Sequence, residues 1–310
     1  MTPLPLVLLN PGCNYQTGAR RWAKVEPELR HRIGEFELEE LRSESAVRAQ
    51  VRAARGRGVV VFIAAGGDGT VNLIANALLD SGAATEIALG AVGLGSSNDF
   101  HKPFRREDFI GRMPVRVDLG RARPVDVIRI EYEDGEPAAA RCCLLNASIG
   151  ITAEGNAFFN TRTTLIRLLQ RVSHDLAVTA TALRTLFVYK NIPCRLQVDD
   201  NPAADFAITN LGVIKRPNFA GSLRYDTSIA PDDGHVGVNL SYGLSLLERV
   251  TALVALSGGR FAGRPKTLCL SGARAVVTSP QRFAVELDGE IVYARTARFS
   301  VIPKAMKVCL

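Results

Sequence analysis

Val59-Val-Val-Phe-Ile-Ala-Ala-Gly-Gly-Asp-Gly-Thr-Val-Asn72 decides the fold. Val59 to Ile63 is a β-branched and aromatic run, the pattern of a buried parallel strand. Gly66-Gly67-Asp68-Gly69-Thr70 reads as a tight turn. Beyond it, Val71, Ile74, Ala75, Leu78 and Leu79 recur at helical spacing. In such a strand–turn–helix, glycines let backbone N–H groups close on an anion, and the helix N-terminus adds donors and a positive dipole end. A polyphosphate suits that geometry. Asp68 is the odd member, because an acid repels phosphate unless a divalent cation intervenes or the acid handles a proton. Both point to phosphoryl transfer. The competing reading is a plain βα turn with Asp68 as helix cap. No Gly-Lys-Ser/Thr follows, so this is not a Walker loop, and Asn72 stands where a dinucleotide fingerprint has its third glycine.

On either side of this stretch, strands and helices alternate. Leu4–Leu9 reads as a strand ending in Asn10-Pro11-Gly12, followed by a helix around Trp22. Phe36–Leu41 is a second strand, with a helix from about Glu44 to Arg55, and Ile87–Val92 is a further strand. Alternation of this kind predicts a parallel sheet covered by helices, with ligands at the carboxyl ends of the strands. The turns at Asn10, Asp68 and Gly95 all follow strand ends, so one cleft can collect them. From Pro124 the character changes to short strands separated by Asp-Gly and Asp-Asn turns, as in an antiparallel sandwich. A helix from about Thr163 to Tyr189 carries Leu165, Leu168, Leu169, Val172, Leu176, Leu183 and Leu186 with Arg162, Arg167, Arg171, Arg184 and Lys190. It suits either packing on its own domain or resting on an anionic bilayer. Leu244–Leu256 reads as a plain core helix.

Composition sets the bounds. The 310 residues suffice for two domains, and 47% hydrophobic with 22% charged residues is ordinary for a soluble globular chain. No apolar run reaches the roughly 18 residues of a membrane span, and Met1–Leu9 lacks the basic start of a signal peptide. The six cysteines suit neither a zinc site nor a disulfide framework, which favours a reducing, cytoplasmic setting. A formal charge of +7 favours anionic partners, but with 6% aromatic residues a stacking platform for nucleic acid is not expected. A membrane surface is the better candidate among these, with a plain solvated basic surface as the competing reading.

Gly66-Gly67-Asp68-Gly69-Thr70-Val71-Asn72 resembles the nucleotide-binding signature of the diacylglycerol kinase, sphingosine kinase and NAD kinase superfamily. Gly93-Leu-Gly-Ser-Ser-Asn-Asp-Phe100 resembles a block of its lipid-kinase branch. Asn10-Pro11, Val117–Gly120, Leu145–Gly150, Pro231–Gly234 and Leu287–Glu290 match further motifs, in family order over nearly the whole chain. The resemblance implies a nucleotide-binding α/β domain over about 1–122, a mainly antiparallel β-sandwich domain over 123–293, and a strand over about 294–310 returning to the first. It implies an ATP- and Mg²⁺-dependent kinase acting on a lipid hydroxyl at the cytoplasmic membrane face; a homodimer is compatible with it.

By resemblance, Asn10, Pro11, Ser43, Gly66, Gly67, Asp68, Gly69, Thr70, Asn72, Gly95, Ser96, Asn98 and Asp99 meet the nucleotide. Cys13-Asn14 replaces the family's Ser-Gly, and Asn tolerates the left-handed backbone that glycine would supply. A lipid hydroxyl is a poor nucleophile and needs a positioned base. The resemblance gives that role to Glu290, with Asp68 assisting and Asp118 nearby. It also implies a structural Mg²⁺ on Asp233 with the carbonyls of Ala230 and His235, although Gly237 stands where many relatives have a further Asp. Two other readings stay open: an NAD kinase-like enzyme, and a non-catalytic nucleotide- or lipid-binding relative.

Overall fold

The computed structural model describes residues 3–82, 84–135, 138–161 and 174–309. The first region alternates β1 (Leu6–Leu9), α1 (Cys13–Gln16), α2 (Gly18–Ile33), β2 (Glu37–Glu40), α3 (Glu44–Gly56), β3 (Val61–Gly66), α4 (Asp68–Asp80) and β4 (Ala88–Gly93). Leu6 of β1 pairs in parallel with Glu37 of β2 and Phe62 of β3, and Val61 of β3 with Ala88 of β4. β1, β3 and β4 read as unbroken apolar runs because both faces are covered, whereas β2, Glu-Leu-Glu-Glu at the edge, is mostly exposed. Leu6, Leu8, Phe62 and Leu89 pack with Val47 and Val51 of α3 and Ile74 and Leu78 of α4. Their alternate neighbours Val7, Leu9, Ile63 and Val92 pack with Trp22, Val25 and Leu29 of α2.

The chain continues through β5 (Phe109–Ile110), β6 (Met113–Arg116), β7 (Ala122–Glu133), β8 (Ala139–Cys143), β9 (Asn146–Gly150) and α5 (Ile151–Asn160). Then come α6 (His174–Val188), β10 (Ile192–Val198), β11 (Ala204–Ile214), the short hairpin β12 (Asn218–Phe219) and β13 (Leu223–Arg224), and β14 (Val236–Tyr242). Last are α7 (Leu246–Ser257), β15 (Thr267–Gly272), β16 (Arg274–Leu287) and β17 (Glu290–Cys309). The strands of this second region pair antiparallel, in the order β15-β14-β11-β10-β16-β17. Taken whole, the described sheet is therefore mostly antiparallel; parallel pairing is confined to β1–β4 and the contact of β17 with β4. In β10, Ile192, Cys194, Leu196 and Val198 are buried and the residues between them exposed, as one covered face requires.

β7 and β17 run through both regions. Val125, Val127, Met306 and Val308 pack in the first core; Ile128, Ile130, Ala294, Ala297 and Phe299 pack in the second. β16 is one strand with an irregularity between Thr278 and Phe283. β9 was not expected, because Asn146-Ala-Ser-Ile-Gly150 lacks a β-branched run; it pairs with β11 and β16.

Two helices differ from expectation. For the Thr163–Tyr189 helix, Arg162, Leu165, Arg167, Leu168, Leu169, Arg171 and Val172 lie outside the described residues. In α6, Leu186 is buried but Leu183 and Phe187 are exposed. α7 is not a plain core helix: Leu247, Val250 and Val254, one face of it, are 74%, 42% and 60% exposed.

Candidate active site

A cleft of about 1190 Å³ opens where the parallel strands end and the second region begins. The first region lines it with Asn10, Gly67–Thr70, Gly95–Ser97 and Asp99. The turns that carry these residues lie against each other: a Cβ on Gly95 would stand 2.6 Å from the Gly67 Cα. Only glycine allows that approach, and it brings the two turns side by side in the cleft. Asn98 adopts a left-handed backbone (φ 49°), and its side chain accepts from Gly95 N (3.1 Å) and donates to Gly95 O (3.2 Å). It therefore holds the loop from behind and is not among the residues lining the cleft.

α4 starts at Asp68, directly after the turn, with its N-terminal end in the cleft. One Asp68 oxygen accepts from Phe100 N (2.9 Å). Burial, and then the neighbouring Asp99, push its carboxyl above the usual range. Thr70 Oγ1 accepts from the Asn10 amide at 3.0 Å, joining the β1 and β3 turns. Asn14 takes the left-handed backbone (φ 48°) foreseen for it and lines the cleft within the short turn α1.

The opposite wall comes from Asn146, from Thr152, Asn156 and Asn160 of α5, and from the β16–β17 hairpin. That hairpin turns on Asp288 (φ 46°) and Gly289 (φ 98°), the two left-handed positions a two-residue turn needs. Asp288 accepts from the main-chain N–H groups of Leu144 (2.7 Å), Asn146 (3.0 Å) and Leu145 (3.2 Å). It also accepts from the amide of Asn72 on α4 at 2.8 Å. Glu286 accepts from Ser148 Oγ (3.0 Å) and Gly289 N (2.6 Å). Burial raises both acids, each reinforced by nearby carboxylates: Glu286 to about 7 and Asp288 to about 6.

Of the expected site residues, Asn10, Gly67, Asp68, Gly69, Thr70, Gly95, Ser96 and Asp99 converge on the cleft. Pro11 and Gly66 shape its turns without lining it, and Asn72 is buried behind it on Asp288. Ser43 caps α3, accepting from Ala46 N at 3.2 Å, and lies outside the lining. Asp118 is exposed, caps Gly120 N (2.9 Å) and meets Arg121 at 3.5 Å, away from the cleft. Glu290 is half-buried and follows directly on Gly289, which lines the cleft. His101 is buried, and burial brings its pKa down to about 4. Lys102 pairs with Asp99, and neither Lys102 nor His101 lines the cleft.

The expected cation loop differs in content. Asp233 and the His235 carbonyl are both met by the ammonium of Lys215, at 2.8 and 2.7 Å. Ala230 contributes its N–H, to Asp233, at 3.1 Å. Among the described residues, no three His, Cys, Asp or Glu side chains group as a metal site. The residues that sequence reasoning missed were partly signalled. Thr152, Asn156 and Asn160 recur every four positions along a helix, and Glu286 interrupts the apolar run Phe283–Leu287.

Residues 5–130 match the family model of the diacylglycerol kinase catalytic domain. Residues 148–310 match that of the YegS C-terminal NAD kinase β-sandwich-like domain. A protein of Xanthomonas oryzae pv. oryzae (strain MAFF 311018), named "Probable lipid kinase YegS-like", is 28% identical over 270 residues, covering 84% of this chain and 82% of that protein. One of the same name from Klebsiella pneumoniae (strain 342) is 23% identical over 252 residues, covering 80% and 77%. A crystal structure described as a diacylglycerol kinase from Bacillus anthracis str. Sterne superposes with a TM-score of 0.63 at 13% identity, covering 99% of this chain and 96% of that one. That last likeness is one of fold.

Proposed function

Because this chain belongs to the diacylglycerol kinase catalytic-domain family, within its YegS-like lipid kinases, we propose that it transfers the γ-phosphate of ATP to a hydroxyl of diacylglycerol or a related lipid. The observation that carries this reading is the cleft itself: glycine turns and a helix N-terminus on one wall, an acidic hairpin on the other. The Gly67–Thr70 and Gly95–Ser97 turns receive the phosphates through main-chain N–H groups. Asp68, a half-buried acid facing that position, fits the Mg²⁺ that ATP carries in, and that ion would neutralise charge on the phosphate oxygens. Glu290 takes the proton of the lipid hydroxyl as its oxygen bonds to the γ-phosphorus and ADP leaves. Glu286 and Asp288 hold the hairpin by accepting from the protein's own donors.

The acceptor side suits a lipid. α6 packs on cleft-lining α5 and on α7, and the exposed Leu183, Phe187, Leu247 and Val254 form apolar surface beside exposed Arg184 and Lys190. Among the described residues, no helix is long and apolar enough to cross a membrane. Contact with an anionic membrane face is therefore peripheral in this reading.

The test is transfer of labelled γ-phosphate, with Mg²⁺, to mixed micelles of diacylglycerol, a long-chain base, phosphatidylglycerol or a polyprenol. Asp68→Ala and Glu290→Gln should each lower transfer by about 100-fold or more, and Glu286→Gln by less. Nucleotide binding without transfer to any lipid, or transfer to NAD instead, would sink the reading.

A further inference from the structure

The loop expected to hold a structural divalent ion already contains a cation, built into the chain. Lys215 follows β11 and is 2% exposed. Its Nζ donates to Asp126 Oδ2 at 2.9 Å, Asp233 Oδ1 at 2.8 Å and the His235 carbonyl at 2.7 Å. An ammonium has three N–H bonds, and three oxygens receive them. Two carboxylates and a carbonyl are also what a hard divalent ion would take, at roughly 2.0–2.6 Å from each oxygen. An ion so placed would overlap Nζ. The residues present therefore do not fit a metal while Lys215 keeps its position.

Main-chain N–H groups also meet both carboxylates. Asp126 is 1% exposed and also accepts from Gly234 N (2.7 Å) and Lys304 N (2.9 Å). Asp233 also accepts from His235 N (3.0 Å) and Ala230 N (3.1 Å). The expected further acid is Gly237, and a Cβ there would stand 3.0 Å from Ile214 Cγ1. The strand carrying Lys215 thus presses against the place where that acid would start.

We propose that the Lys215 ammonium is the resident cation of this loop, so that the second region keeps its shape without Mg²⁺ or Ca²⁺. The inference concerns a site apart from the catalytic cleft and does not rest on the identity of the substrate. It predicts that Lys215→Ala uncovers a vacant cation site.

The test uses the full chain without nucleotide, in EDTA, in MgCl₂ and in CaCl₂. Thermal unfolding of the native protein should agree within about 1 °C across the three. Lys215→Ala should unfold lower in EDTA and regain about 5 °C or more in at least one salt. Native mass spectrometry should find one ion per chain in that variant and none in the native protein. A variant that folds but ignores both salts overturns the proposal. So does an ion bound by the native chain and retained by Asp68→Ala, and that measurement decides the matter even if Lys215→Ala does not fold.

Discussion

Two groups of carboxylates join the halves of this protein, and they are held in opposite ways. Asp288 is met by three main-chain N–H groups and the Asn72 amide. Amides carry no net charge, so burial still raises Asp288 and its neighbour Glu286, to about 6 and about 7. Asp126 and Asp233 instead surround an ammonium. Burial alone would raise Asp233, but hydrogen bonds from Lys215, His235 and Ala230 outweigh it, and its carboxyl lies below the usual range. Neutral donors thus leave the buried Glu286 and Asp288 raised toward neutral pH, whereas Asp233, partly exposed beside an ammonium, is lowered. The two junctions therefore respond to pH with opposite signs.

The largest expected effect is at the amide-held junction. Asp288→Ala strands four donors at a buried point and should cost about 3 kcal/mol, read from the urea midpoint. A cost below about 1 kcal/mol would show that Asp288 does not hold the halves together. Next is the pH dependence. A carboxyl whose folded pKa is raised contributes stability that is complete below its unfolded value and is lost as pH climbs through the folded one. For Glu286 and Asp288 the loss falls between about pH 4 and 7. Asp233 acts with the opposite sign, losing stability only as pH drops below the usual carboxylate range. Melting temperature should therefore decline from about pH 5 to 7, and Glu286→Gln should flatten the decline. A full slope retained in that variant would remove Glu286 from the account. The smallest effect separates the two acids around Lys215. Asp233 has a 33% exposed side chain and Asp126 none exposed. Asp233→Asn should cost about 1 kcal/mol, against about 3 for Asp126→Asn; equal costs would mean that burial is not what sets their strength.

The first wall of the cleft was legible because it is made of backbone. Glycines at 67 and 95 betray close approach, and each turn lies next to the strand that aims it. The second wall was harder to read because it is made of side chains brought together by pairings of β9, β11 and β16, whose partners lie far apart in the chain. Lys215 illustrates the limit. After Ile214 it reads as an ordinary surface lysine at a strand end, and only the fold brings Asp126 and Asp233 to it. Asp118 shows the reverse error. Its acid type and position suggested chemistry, yet it caps a turn in solvent. Ser43 likewise caps α3. Small polar residues after strands serve caps as readily as ligands, and their type alone does not separate the two uses.

β17 has one more consequence. Its far end lies beside β4, with Lys307 opposite Ala88, and Met306 and Val308 fill the first core. The catalytic-domain match ends at residue 130, but the structural unit does not. A fragment cut there would bare the β4 edge and leave holes where those last side chains belong. The two halves are therefore not interchangeable cassettes: recombining this first half with a foreign sandwich would succeed only if the last strand travelled with it, and losing a few C-terminal residues would damage the end of the molecule farthest from them in sequence.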